Sequence, residues 1–321
     1  VRPLADAPSL SGTLVPGFVD LQVNGIGSED VAVTEAWDVL DEALLAQGVT
    51  SWCPTLVSAP LEAYAAPLAR IAAATTRTTI LGAHLEGPFL GDRHGAHPDA
   101  FVVPPDPDWV GALPPIVRLM TVGPEAPGAI ELIRTLRARD VVVAIGHTDA
   151  DPQVVRGAVD AGATLFTHLW NASGSVSARA PGPIGAALAD DRMAVSLIAD
   201  LAHVDATSLA VALAAKAEVV LVTDAVAWQS EWAVRQGIQL VDGAPTLPDG
   251  TIAGSALTMD RAVRNVAELI GLERAVRAAA ATPARIMGAT DRGELAPGRR
   301  ADVVLLDDDL AVRRTWVGGQ S

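Results

Sequence analysis

The stretch "VVVAIGHTDADPQVVRGAVDAGATLFTH", residues 141–168, holds one full repeat of the chain's pattern. Residues 141–145 form a continuous apolar run, the signature of a strand buried on both faces. "PQVVRGAVDAG" follows with apolar residues at helical spacing and a glycine stop. "ATLFTH" then returns to a short strand pattern. Both strand patterns end on a histidine, His147 and His168. Strand, helix and strand in this order read as a βαβ unit.

The same unit recurs on both sides. The strand runs are "GFVDLQVN", "GVTSWCPTL", "TTILGAHLE", "VRLMTVGPE", "VVVAIGH", "ATLFTH", "AVSLIAD" and "VVLVTD". Amphipathic segments such as "TEAWDVLDEALLAQG" lie between them. Eight strands alternating with helices, at about 29 residues per unit, predict a (β/α)8 TIM-type barrel over residues 16–289. An open doubly wound sheet would need a Gly-rich phosphate turn after an early strand, and there is none. The tail "DRGELAPGRRADVVLLDDDLAVRRTWVGGQS" carries two short strand patterns and no helix. With the N-terminus it predicts a small β-domain over 1–15 and 290–321, whose N-terminal part is short enough to leave it incomplete.

The polar residues fall where a barrel places chemistry. Asn24, Glu86, His147, His168, Asp200 and Asp224 each close a different apolar run. Barrel active sites lie at the C-terminal ends of the strands. Neighbouring strands stand about 4.8 Å apart, so His147 and His168 can reach one ion. Glu86, in "AHLEGPFL", can add a carboxylate oxygen. One Glu and two His make a catalytic zinc set with a position left for water. Asp224, in "LVTDAV", is a general-base candidate beside such a site; its other reading is the cap of a following helix. His84, two residues before Glu86, suits a layer beneath the site. His94 and His97 share the polar loop "GDRHGAHP": His94 reads as exposed, and His97 as either a carbonyl-polarising group or a second surface histidine. His203 could meet substrate hydroxyls. Arg179, in "GSVSARAPGPIG", is an anion-binding candidate or a solvated charge. In "PGFVDLQVNG", Asp20, Gln22 and Asn24 share one strand face.

Composition narrows the classes. The chain has 321 residues, half of them hydrophobic, a net charge of −15 and one cysteine, Cys53. Such acidity argues against binding nucleic acid or an anionic membrane. One cysteine excludes an internal disulfide and a Cys-rich metal motif. No apolar run approaches the roughly 20 residues of a membrane-spanning helix, and "VRPLADAPSLSG" lacks a signal peptide's apolar core. The expectation is a cytoplasmic protein.

Taken in order, "PGFVDLQVNG", "GVTSWCPTL", "HLEGPFL", "GAH", "GHTDA", "THLWNA", "IADLAHVD", "LVTDA", "IAGSALTMDRAVRN", "ATPARIMG" and "GELAPGRRADVV" resemble the N-acetylglucosamine-6-phosphate deacetylases of the amidohydrolase superfamily. The resemblance implies hydrolysis of N-acetylglucosamine 6-phosphate to glucosamine 6-phosphate and acetate. It makes Glu86, His147 and His168 ligands of one divalent metal, zinc first, with iron, manganese or cobalt as other occupants. Asp224 becomes the base and later the acid, and His97 the group that polarises the acetyl carbonyl. It implies substrate contacts from Ala96, His97, Asn171, Ala172, Arg179, His203, Ile252, Ala253 and Gly254. It also implies a homodimer in which Arg179 serves the neighbouring active site. Gln22 and Asn24 stand where many amidohydrolases place His-x-His. Neutral amides are weak zinc ligands, so one metal is expected, with both amides orienting water or substrate. Two departures stand out: Ala180 replaces a family glutamate, and Leu201 a family glycine. The rival readings are a related amidohydrolase, acting on N-acetylgalactosamine 6-phosphate or another N-acyl substrate, and a catalytically inactive binding barrel.

Overall fold

A computed structural model describes residues 11–321. The barrel strands are β1 (Phe18–Val23), β2 (Val49–Leu56), β3 (Ala83–Glu86), β4 (Val117–Val122), β5 (Val142–Ile145), β6 (Leu165–Phe166), β7 (Ala194–Leu197) and β8 (Val219–Leu221). Each pairs in parallel with the next in the chain. Every residue of β1, β2 and β3 is buried, the polar Asp20, Gln22, His84 and Glu86 included.

The opening stretch folds as its pattern demands. Helix Pro152–Ala161 ends at Gly162, whose left-handed φ of 115° lets its N–H bond back to the Ala158 and Val159 carbonyls. The helix buries Val155, Ala158 and Val159 against the barrel. Each buried valine contributes about 1.5–3 kcal/mol. Phe166 lies opposite Ile145 in the β5–β6 register. His147 and His168, each two residues further on, therefore emerge at the same height.

The β8–β1 seam closes by fewer ladder bonds and more side-chain bonds. Val23 bridges Ala225. Asp224 N–H donates to the Gln22 carbonyl at 3.0 Å, and Asn24 N–H to that of Ala225 at 2.8 Å. One layer below, the Asp20 carboxylate accepts from Thr223 N–H at 3.2 Å and Thr223 Oγ1 at 2.6 Å. Burial pushes this carboxyl up to about 7, against the opposing pull of the Thr223 hydroxyl.

Two expectations change. The third run is broken: Thr79–Ile80 pairs with β2 as a separate piece, and Gly82 at φ 138° turns the chain into β3. The small β-sheet does have an N-terminal partner. Thr13–Pro16 forms a full antiparallel ladder with Val303–Leu306, which pairs on its other side with Val312–Trp316. Four residues suffice because the central strand is itself four residues long. The remainder of the predicted N-terminal part, residues 1–10, lies outside the described residues. Among the described residues no helix is long and apolar enough to cross a membrane.

Candidate active site

The C-terminal end of the barrel gathers one buried polar cluster. Glu86 ends β3, and its Oε1 lies 2.8 Å from His168 Nε2 and 3.1 Å from His147 Nε2. The two Nε2 atoms are 3.1 Å apart. Two imidazole nitrogens and a carboxylate oxygen, all ligand-capable atoms, thus converge on one point. His147 Nδ1–H donates to the Arg93 carbonyl at 3.0 Å, which frees the Nε2 lone pair for a cation. The three groups thus fit a divalent metal by donor type and by direction. Burial alone would raise the Glu86 carboxyl, but the facing imidazoles of His147, His168 and His97 hold it well below its ordinary value.

Both histidines sit on strained backbone, at φ 50° for His147 and 27° for His168. Asp224 (φ 50°), Ala172 (43°) and Leu201 (68°) share this left-handed region. Such residues cost of order 1–3 kcal/mol each, and they cluster at functional sites.

Asp224 follows β8 and caps no helix; the next one, Glu231–Arg235, begins seven residues later. Its Oδ1 accepts from Asn24 Nδ2 at 2.8 Å and Gln22 Nε2 at 3.1 Å. Burial first, and the Glu86 charge second, push this carboxyl up to about 8. Gln22 and Asn24 differ in how they are partnered. Gln22 Nε2 also donates to Glu86 Oε1 at 2.8 Å, while its Oε1 accepts from Thr167 Oγ1 at 3.2 Å. Gln22 Nε2 thus serves both carboxylates, whereas Asn24 donates to Asp224 alone and keeps its Oδ1 buried without a partner among the described residues. An amide N–H2 between two buried carboxylates offsets part of the repulsion that a second cation would otherwise offset.

Of the two readings of His97, the surface one does not hold. His97 is buried, with Nε2 3.7 Å from Glu86 Oε2 and the ring edge-on to His147 at 4.6 Å between centroids. Its Nδ1 faces Ser58, 2.9 Å from Oγ and 3.2 Å from N. The ligand-capable atoms of Glu86, His97 and His147 lie within 4.8 Å of one another. His94, expected in solvent, is half-buried and pairs with Asp99. His84 lies beneath the site, against the Leu21 carbonyl and Thr121 Oγ1; burial lowers its pKa to about 4, so it stays neutral.

An amidohydrolase-family model matches residues 13–321. The chain belongs to the amidohydrolase family. Among its relatives, the N-acetylgalactosamine-6-phosphate deacetylase of Escherichia coli is 36% identical, the match covering 96% of this chain and 87% of that protein. The N-acetylglucosamine-6-phosphate deacetylase of Bos taurus is 37% identical over 96% of this chain and 82% of its own length. The N-acetyl-D-glucosamine-6-phosphate deacetylase of Mycobacterium smegmatis, solved as a mutant bound to N-acetyl-D-glucosamine 6-phosphate, superposes with a TM-score of 0.91 at 33% identity, covering 100% of this chain and 90% of that one.

The remaining predicted residues of this amidohydrolase are found in varied states. Asn171 Nδ2 donates to the His168 carbonyl at 3.2 Å, and the Ala172 carbonyl accepts from Thr148 N–H at 3.1 Å. Asp200 grips His203: Oδ2 is 2.6 Å from His203 Nδ1, and Oδ1 accepts the His203 N–H at 2.8 Å. Gly254, at φ 72°, runs so close to Asp224 that a Cβ would stand 3.0 Å from the Asp224 carbonyl and 2.2 Å from Val226 Cγ1. Ile252 is exposed and Ala253 half-buried on the same loop. Ala96, Ala180 and Arg179 are exposed, and Arg179 makes no hydrogen bond or ion pair among the described residues. Sequence reasoning missed Ser58, Thr167 and Arg93. Arg93 acts through its carbonyl, which no side-chain pattern reports, and the two hydroxyls are common loop and strand residues.

Proposed function

We propose that this amidohydrolase removes the acetyl group of an N-acetylhexosamine 6-phosphate, with N-acetylglucosamine 6-phosphate as the first substrate. The products are the amino sugar 6-phosphate and acetate. The observation that carries the reading is the convergence of Glu86, His147, His168, His97 and Asp224, from four strand ends and one loop, on a single buried point. Such a complete set argues against a catalytically inactive barrel.

Glu86, His147 and His168 would hold one divalent cation, zinc first on the N/O donor set. When bound, that cation supplies Lewis acidity and acidifies water at the site. Asp224 takes the proton of the attacking water as oxygen adds to the acetyl carbon. Its Oδ1 is occupied by Gln22 and Asn24, which leaves Oδ2 for the proton. The same carboxyl then protonates the leaving nitrogen as the C–N bond breaks. His97 Nε2–H donates to the acetyl oxygen while negative charge develops there.

Ala96, Asn171, Ala172, His203 and the backbone of Ile252, Ala253 and Gly254 are read as sugar and acetyl contacts. Arg179 is read as the phosphate ligand of a neighbouring subunit's site, a reading supported by its exposure without a partner. A homodimer is also supported by apolar surface on one excursion after β8, where Trp232 is 56% and Val234 65% exposed. The small sheet with residues 290–321 is read as a domain of its own beside the barrel.

A second reading, N-acetylgalactosamine 6-phosphate as the preferred epimer, is favoured by the relatives at 36% and 37% identity, which divide between the two activities. The test is acetate release from both 6-phosphates and from unphosphorylated N-acetylglucosamine, joined to metal analysis. Turnover of either phosphorylated epimer supports the class, and the ratio of kcat/KM assigns the epimer. No acetate from either 6-phosphate by the metal-loaded protein refutes the reading.

A further inference from the structure

His97 and His147 pack edge-on, with Nε2 atoms facing opposite oxygens of the same Glu86 carboxylate. Either ring could ligate a cation, and either could donate a proton. Chemistry at this point needs them sorted, one as a lone-pair donor and one as an N–H donor. We propose that Ser58 is the positioning residue that sorts them, by holding His97 in the Nε2–H tautomer.

Each ring's backbone neighbour can act in one direction only. A backbone N–H only donates and a backbone carbonyl only accepts. The Ser58 N–H points at His97 Nδ1 from 3.2 Å, so Nδ1 must be an acceptor. A neutral imidazole has one donor and one acceptor nitrogen, and the proton of His97 is therefore on Nε2. The Ser58 hydroxyl stands 2.9 Å from the same Nδ1 and adds a second donor. His147 meets the reverse partner: its Nδ1 faces the Arg93 carbonyl at 3.0 Å, which places its proton on Nδ1 and its lone pair on Nε2.

Ser58 is buried, and the approach is tight. Gly87 passes so near that a Cβ there would stand 2.3 Å from Ser58 Oγ. The hydroxyl is therefore confined beside His97. This sorting excludes His97 Nε2 as a ligand and leaves Glu86, His147 and His168 as the metal set. The inference rests on the carbonyl-donor role given to His97 above, and it adds the residue that makes the role available.

The experiment uses the zinc-loaded enzyme with 15N-labelled histidine. Long-range 1H–15N correlation should show His97 as the Nε2–H tautomer and His147 as Nδ1–H. The variant Ser58→Ala keeps the backbone donor and loses the hydroxyl. It should lower kcat about five- to tenfold, with a much smaller change in KM, as expected for losing one hydrogen bond of about 1 kcal/mol. Repeating Ser58→Ala in a His97→Ala background separates positioning from general structure. A positioning role predicts no further loss there; equal loss in both backgrounds overturns the proposal. So does an Nδ1–H signal for His97, or an unchanged kcat in Ser58→Ala. The tautomer readout needs no substrate, so it reports on Ser58 even if neither 6-phosphate is turned over.

Discussion

Replacing Asp224 with asparagine should move stability and catalysis in opposite directions. The side chains are nearly isosteric. An asparagine carbonyl can take over both bonds to Oδ1, from Gln22 Nε2 at 3.1 Å and Asn24 Nδ2 at 2.8 Å. The backbone bonds from Asp224 N–H to Gln22 and from Ser255 N–H to the Asp224 carbonyl are untouched. What disappears is a carboxylate buried beside Glu86, whose pKa is raised from 3.8 to about 8. In the metal-free protein the unfolded state loses this proton near 3.8 and the folded state only near 8. The folded state therefore binds more protons between those values, and stability falls as pH rises through the window. Below it the penalty is nil; above it the penalty is complete and amounts to several kcal/mol as an order of magnitude. The metal-free Asp224→Asn variant should thus match the wild type near pH 4 and unfold at progressively higher urea as pH approaches 8. With metal bound, the same variant should lose roughly 10²–10⁴-fold in kcat, the usual worth of a general base. Paired urea titrations across the pH range and an acetate-release assay measure both arms. Near-normal turnover, or a stability gap that does not widen with pH, would refute the reasoning.

Zinc saturation followed by metal analysis should give about one ion per chain, because Gln22 Nε2 already sits between Glu86 and Asp224; two well-retained ions per chain would contradict this. Gly254→Ala should cost about 1–3 kcal/mol of stability and lower kcat, since its Cβ would press on Val226 and the Asp224 carbonyl at a positive φ; a urea curve and turnover both at wild-type level would count against the proposed tie between this loop and the base. Arg179→Ala should raise KM for the 6-phosphate sugar far more than for unphosphorylated N-acetylglucosamine, and equal shifts on the two substrates would remove it from phosphate binding. Thr13–Pro16 should exchange its paired amides slowly, like its partner Val303–Leu306; rapid exchange of both strands would mean that the small sheet is not formed in solution.

The sequence alone determined the architecture and which polar groups stand at the strand ends. Apolar runs buried on both faces, separated by helical periods, admit few folds other than a parallel barrel, and that information is local to each window of about ten residues. The placement of Glu86, His147, His168 and Asp224 at strand ends was legible for the same reason: once strands are parallel and in register, their ends share one face. The tertiary structure alone decided how neighbouring polar groups are partnered. Gln22 meets Glu86 across 64 residues and Asp224 across 202, and His97 meets Ser58 across 39. Whether an amide serves a carboxylate or a substrate, whether a loop histidine is buried, and which of its nitrogens carries the proton depend on atoms brought together by closure of the barrel. Those contacts are set by three-dimensional distance of a few ångströms, and no period along the chain carries it. The completeness of the small β-domain was misjudged on similar grounds, because four residues show too little alternation to read until Val303–Leu306 supplies the ladder that makes them a strand.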